Sequence, residues 1–351
     1  MRSTVALFIL CISVNAYSQH EKLIFAVDII RHGDRTPTHE LPNAPYPWSG
    51  GLGQLTPTGM NQEFKLGSEF HKRYILDTNL LPSRYSKETI YVRSSDFDRT
   101  LMSAQCALMG LYPPGNGPMA LQNSNIPALP GAYQVIPVHT VPMEDDDLLV
   151  PNHDPQKFNE IMKQHVANRA DWQKKTTELQ PQFKRWSQLT GFKVTDLADI
   201  IHIADNLYIR KLNQLPLPND MTEQDAQTIM DAGQWAFTTA FKPNEVGSLT
   251  GRRLVTTIAD YMHQVSEQKT KLKFVLFSGH DTTILSVLSA LRAPLTNPPR
   301  YASDLNFSMY DAGVGKYVVK VTLNGKTVQI PACNNKECTL KQFEAYISHL
   351  T

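Results

Sequence analysis

A chain of 351 residues, 41% hydrophobic and 19% charged, is long enough to bury one large core or two unequal ones, which excludes a fibrous or disordered polypeptide. Its 34 Lys and Arg nearly balance 33 Asp and Glu. No net field therefore draws the chain to nucleic acid or to an anionic membrane, and any affinity for anions must come from local clustering.

The N-terminus "MRSTVALFILCISVNA" carries one basic residue, a short apolar stretch and a Val-x-Ala ending. This predicts a secretory signal within residues 1–18, cleaved near Ala16 to Ser18 and too short to span a bilayer. The competing reading is a buried first strand or helix. Leu10 is too large for the position before a lipid-modified Cys11, which argues against an anchor. No later apolar run is long enough for a span, so the mature chain is expected to be secreted or periplasmic, without stable membrane insertion.

Next comes "LIFAVDII" (23–30), a near-continuous apolar run that predicts a strand covered on both faces. Thr56-Pro57 then opens a helix with Met60, Phe64, Gly67, Phe70 and Tyr74 along its inward stripe. "TIYVRSSDFDRTLMSAQCALMGLYPP" predicts strand, loop and a helix with Leu101, Ala104, Leu108 and Leu111 in register. The run Glu144-Asp145-Asp146-Asp147 predicts a solvated loop, with ion binding as the lesser alternative. Polar helical stretches follow without a convincing strand. After them come a helix, the strand "KFVLF" (273–277), a helix over 282–292, and a hairpin turning at Asn324-Gly325. Strands alternating with helices predict an α/β fold, with a central, mostly parallel sheet and flanking helices over 19–144 and 241–351. Residues 145–240 are expected to form a smaller α-helical cap.

Cys333 and Cys338 lie five apart in "ACNNKEC" between turn formers, a spacing that suits a local disulfide in an oxidising compartment. Cys106 is left over in an apolar helical pattern and reads as a buried free thiol.

In open α/β sheets the ligand crevice lies beyond the carboxyl ends of the strands. Two charged clusters fall there: Arg31-His32-Gly33-Asp34-Arg35 after the first strand and His280-Asp281 after "KFVLF". Arg99, in the loop before the next helix, makes a third. Arg31, Arg35 and Arg99 offer planar paired donors matched to a tetrahedral oxyanion. The plainer reading pairs these arginines with Asp34, Asp96 and Asp98 in surface salt bridges. A histidine among arginines stays neutral even in acid. His32 could then attack phosphorus and form a phosphohistidine, while Asp281 protonates the leaving alkoxide and His280 adds positive charge at the equatorial oxygens. An acid that must hold a proton to act implies an acidic optimum. The plainer reading of Asp281 is a helix N-cap, which is compatible with that role. His39, His71, His139, His153, His165, His202 and His263 receive no role.

"RHGDRTP" resembles the Arg-His-Gly-x-Arg-x-Pro signature of the histidine acid phosphatases. "GHD" after an apolar strand is similar to that family's distal His-Asp element, and "RSSDFDRTLMSA" to the segment supplying its additional arginine. The similarity extends over "GLGQLTPTGM", "LYPP" and the late cysteine pair, and is nearest the prostatic and lysosomal type. The resemblance implies an α/β domain with a helical cap, no metal or other cofactor, and hydrolysis of small phosphomonoesters through phosphorylated His32. It implies phosphate binding by Arg31, Arg35, Arg99 and His280, protonation by Asp281, and a possible homodimer.

Two rival readings stand beside it. One is a phytase or sugar-phosphatase of the same superfamily. Bacterial phytases typically read His-Asp-Thr-Asn where this chain has His280-Asp281-Thr282-Thr283, which argues against a dedicated phytase. The other is a non-catalytic phosphate-ester binder, which would need neither His32 among the arginines nor Asp281. A metal-dependent phosphatase is disfavoured because no His/Asp/Glu set shows ligand spacing.

Overall fold

The computed structural model describes residues 21–121, 124–333 and 338–350; the expected signal peptide and Cys11 lie outside them. In chain order the strands are β1 (Lys22–Arg31), β2 (Ile90–Ser94), β3 (Phe274–Gly279), β4 (Asp304–Asp311), β5 (Tyr317–Leu323), β6 (Lys326–Thr327) and β7 (Cys338–Thr339). The helices are α1 (Pro57–Phe70), α2 (Asp98–Leu111), α3 (Pro155–Met162), α4 (Ala170–Thr190), α5 (Leu197–Leu212), α6 (Glu223–Ala240), α7 (Asn244–Thr250), α8 (Arg252–Ser266), α9 (Asp281–Ala290) and α10 (Leu340–Ser348).

The strands form one sheet in the order β2-β3-β1-β4-β5-β6, with β7 added to β5. Pairing is parallel across β2, β3 and β1 and antiparallel from β1 through β4 to β5. Phe25, Val27 and Ile29 of β1 enter a cluster with Ile258, Met262, Ile284 and Phe343 from α8, α9 and α10. Ala26 and Ile30 enter the opposite cluster, with Phe70, Tyr74 and Leu108 beside α1 and α2. A period of two with both faces covered explains why β1 reads as an unbroken apolar run.

The α1 stripe differs from the predicted one. Gly59, Glu63, Leu66, Gly67 and Phe70 are buried, while Phe64 is exposed. The reason is a close helix crossing: a Cβ on Gly67 would lie 1.9 Å from the Ala107 carbonyl oxygen of α2. Backbone approach through glycine, not the larger Phe64, fixes which face turns inward.

Helices α3 to α6 enclose a third apolar cluster, built on Trp172, Phe183, Trp186, Ile200, Leu207, Ile229 and Phe241 and closed by Leu41 and Leu285. The acidic run departs from expectation at Asp146. It is buried, paired to Arg93 at 2.6 Å, and accepts hydrogen bonds from the Leu148 and Leu149 amides. Asp147 pairs with Arg253.

At the carboxyl end of the sheet, Asn324 and Gly325 make the β5–β6 turn with φ of 50° and 75°, the paired positive dihedrals of a tight hairpin. Cys333 and Cys338 are joined in a disulfide, and Cys106 is a half-buried free thiol.

Candidate active site

β1 and β3 end side by side. Arg31 is in register with Gly279, and the His32 amide donates to the Gly279 carbonyl at 3.1 Å. His32 and His280 therefore leave adjacent strand ends together, their ring centroids 5.6 Å apart and nearly edge-on. Arg99 sits in the first turn of α2, one residue inside the helix instead of in the preceding loop.

The backbone after His32 has no room for a side chain. A Cβ on Gly33 would lie 2.4 Å from the Gly59 carbonyl oxygen of α1, so the loop rests directly on the start of that helix. Asp34 accepts from the Thr56 hydroxyl at 2.6 Å, and that hydroxyl in turn accepts the Gly59 amide and caps α1. Asp34 thus ties the loop to the helix and makes no salt bridge with the arginines.

His32 is buried, and its Nδ1 lies 2.9 Å from its neighbour's carbonyl, Gly33 O. A carbonyl only accepts, so Nδ1 carries the hydrogen and Nε2 keeps its lone pair. Burial, reinforced by Arg31, Arg99, Arg35 and His280, holds the imidazole pKa well below its ordinary value. The ring is neutral in acid, as expected, although desolvation outranks the like charges expected to do it.

Each arginine uses its Nη atoms on the protein. Arg31 donates to the Pro299 carbonyl at 2.6 Å and pairs with Asp281 at 2.7 Å. Arg35 grips Asp205 of α5 with two bonds, 2.9 and 3.1 Å. Arg99 lies over the Phe97 ring, 4.5 Å from its centroid, and its hydrogen bonds among the described residues are long, 3.5 Å to Gly53 O and 3.5 Å to His280 Nδ1. Burial and Arg35 lower its pKa to about 10, whereas for Arg35 burial is outweighed by Asp205, Tyr301 and Asp281 together and the net shift is upward. The Nε–H of all three is buried without a partner among the described residues. Buried unpaired cationic donors call for an anion.

His280 Nδ1 faces the Arg99 guanidinium, which can only donate, so Nε2 carries the hydrogen and donates to Ser95 Oγ at 2.9 Å. Ser95 passes its hydroxyl to Thr100 Oγ1 at 3.0 Å, and Thr100 donates onward to the Ser95 and Phe97 carbonyls. Burial and Arg99 lower the His280 pKa to about 3, so the ring is neutral and does not carry the positive charge expected of it at the phosphate oxygens. Asp281 is the first residue of α9 and His280 the N-cap position, so the N-cap reading of Asp281 is displaced by one residue. Burial raises the Asp281 pKa, but Arg31, Arg35 and His280 outweigh it and the net shift is downward.

The family model of the histidine phosphatase superfamily (branch 2) matches residues 22–324. The chain belongs to that family. Prostatic acid phosphatase of Bos taurus is 31% identical over 337 residues, 92% of this chain and 84% of the relative. Lysosomal acid phosphatase of Homo sapiens is 30% identical over 357 residues, covering 97% and 82%. Among solved structures, the apo phytase of Hafnia alvei overlays with a TM-score of 0.68 at 17% identity, over 94% of this chain and 97% of that one. A Klebsiella phytase overlays equally well, with 0.68 at 16% identity over 94% and 96%. At such identities the overlays speak for the fold alone.

In this histidine phosphatase, Arg31, His32, Arg35, Arg99, His280 and Asp281 lie together beyond the carboxyl ends of β1 and β3. None of the three arginines takes Asp34, Asp96 or Asp98 as an ion-pair partner; the pairs formed are Arg31–Asp281 and Arg35–Asp205. Sequence reasoning missed Asp205, Ser95 and Thr100, and also Tyr301, whose ring lies over the Arg31 guanidinium at 4.3 Å. Ser95 and Thr100 sit inside the quoted "RSSDFDRT" segment, so proximity could have suggested them. Asp205 lies on one face of an amphipathic helix 170 residues from Arg35, with no local signal. His39 and His202 are in tilted contact with ring centroids 4.1 Å apart, and His202 lies within the field of Arg35 and Asp205.

Proposed function

We propose that the chain is an acid phosphatase that hydrolyses phosphomonoesters through a phosphohistidine on His32. The observation that carries this reading is the fixed tautomer of His32, an Nε2 lone pair held among three guanidiniums with unpaired Nε–H groups. In the first step the Nε2 lone pair attacks phosphorus, the ester P–O bond breaks, and the leaving oxygen takes the proton of the Asp281 carboxyl. In the second, water attacks phosphorus, the P–N bond breaks, and Asp281 recovers a proton from that water. Arg31, Arg35 and Arg99 bind the equatorial oxygens, and His280 is held beside them by Ser95.

Asp281 is ionised beside Arg31 in the free protein, so its proton must arrive with the substrate. A bound phosphate neutralises the arginines and places negative charge near the carboxylate, which favours proton uptake. In acid the ester itself arrives as a monoanion able to deliver that proton. The acidic optimum follows from this pairing, not from an acid already loaded.

We further infer that residues 145–240 act as a cap over the outer pocket, a reading supported by their separate apolar cluster and by Asp205 reaching Arg35. Export is supported by the Cys333–Cys338 disulfide and by lysosomal relatives. The reading is tested by hydrolysis of 4-nitrophenyl phosphate across pH. Wild type should turn over best in acid, and His32→Ala should lose roughly a thousandfold or more; an undiminished His32→Ala rate contradicts it.

A further inference from the structure

Residues 298–303, "PPRYAS", form a clasp around the nucleophile. The Pro299 carbonyl accepts from Arg31 Nη1 at 2.6 Å, the Ser303 carbonyl accepts the Arg31 amide at 2.9 Å, and the Ala302 amide donates to the His32 carbonyl at 3.3 Å. Ala302 holds φ of 53°, a left-handed conformation uncommon for a non-glycine residue. The clasp therefore fixes the direction in which its one aromatic side chain points.

That side chain is Tyr301. Its ring lies over the Arg31 guanidinium, 4.3 Å from the centroid, and 5.9 Å from the His32 ring. Tyr208 of α5 flanks it at 6.5 Å on the cap side. Its hydroxyl is buried and has no hydrogen-bond partner among the described residues. A tyrosine hydroxyl buried away from water ordinarily finds one. The charges that bear most on the hydroxyl are those of Arg35 and Arg31, and burial nevertheless pushes its pKa upward, so it remains a neutral O–H donor. Arg31 Nε, Arg35 Nε, Arg99 Nε and Tyr301 Oη thus share one property: each is a buried group with a hydrogen to give and nothing to receive it. A ligand that completes this set must be all acceptor.

We propose that Tyr301 is a fourth phosphoryl-binding residue, whose phenolic O–H donates to a non-bridging oxygen of the bound phosphate beside the three arginines. This rests on the crevice being the phosphate site of the proposed phosphatase. The aromatic ring has a separate task, stacking on Arg31, so hydroxyl and ring can be tested apart.

The test is binding of inorganic phosphate to the whole protein by calorimetry at acidic pH, with turnover of 4-nitrophenyl phosphate alongside. Tyr301→Phe keeps the ring and is expected to weaken phosphate by about tenfold, as for loss of one hydrogen bond to a charged group. Its melting temperature should be equal to or above that of wild type, because an unpaired buried hydroxyl has been removed. Weaker binding without lost stability is a signature that a merely structural tyrosine would not give. Tyr301→Leu, which also removes the stack on Arg31, should lose more. Phosphate affinity of Tyr301→Phe within twofold of wild type overturns the proposal, including the case in which only Tyr301→Leu is impaired. If wild type binds phosphate without turnover, the phosphatase reading falls while the affinities still judge Tyr301.

Discussion

Arg31 and Asp281 face each other at 2.7 Å, joining the end of β1 to the start of α9. One residue of this pair is assigned to the phosphate and the other to the leaving group. Substrate must therefore loosen a contact that the free protein has already made, and this exchange is what couples phosphate binding to the protonation of Asp281.

Replacing Asp281 by Asn keeps the size of the side chain and removes the transferable proton. Rates on alkyl phosphates, whose leaving oxygens need that proton, should fall by roughly a hundredfold to ten-thousandfold. Rates on 4-nitrophenyl phosphate should fall much less, because nitrophenolate leaves unaided. Steady-state comparison of the two substrates checks this, and equal losses remove Asp281 as the acid.

Asp205 sets a second expectation. Its carboxylate occupies both Nη atoms of Arg35 from α5 and adds negative charge beside the arginines, which opposes substrates bearing several phosphates. Asp205→Asn should raise the ratio of kcat/KM for inositol hexakisphosphate to that for 4-nitrophenyl phosphate by several-fold. An unchanged or lower ratio speaks against a selective role for this carboxylate.

Glu63 provides a test of the fold. It is buried in α1, both carboxylate oxygens lack partners among the described residues, and burial raises its pKa well above the ordinary 4.5. Cys106 of α2 lies within its field. A raised carboxyl means that the folded state binds more protons than the unfolded state. This contribution is whole below the unfolded value and is lost as pH rises above it towards the folded value, by up to about 1.4 kcal/mol per pH unit. Glu63→Gln should flatten this decline, measured by denaturant unfolding at pH 5 and pH 8. A variant that loses stability with pH as steeply as wild type would show that Glu63 is not its source.

The contrast between Glu63 and His32 shows what the sequence made legible. The strand ends carrying Arg31, His32, His280 and Asp281 follow from apolar runs terminated by charge, a pattern local in the chain. The hairpin at Asn324-Gly325 was equally local, although β6 is only two residues long. Glu63 is buried because glycine contacts between α1 and α2 rotate the helix, and no count of apolar positions contains that. Asp146 read as solvated among its acidic neighbours, yet Arg93 draws it into the interior. Asp205 and Tyr301 reach the arginines only through the packing of α5 and of the segment after α9. The helices α7 and α10 also went unforeseen, the first short and the second beyond the hairpin.

The most direct test of the account is rapid trapping of the phosphoenzyme. Wild type mixed with 32P-labelled phosphomonoester and quenched within a turnover should carry label on His32, labile to acid and stable to alkali, and His32→Ala should carry none. Absence of such label in a wild-type protein that is turning over substrate, or its persistence in His32→Ala, would contradict the covalent mechanism.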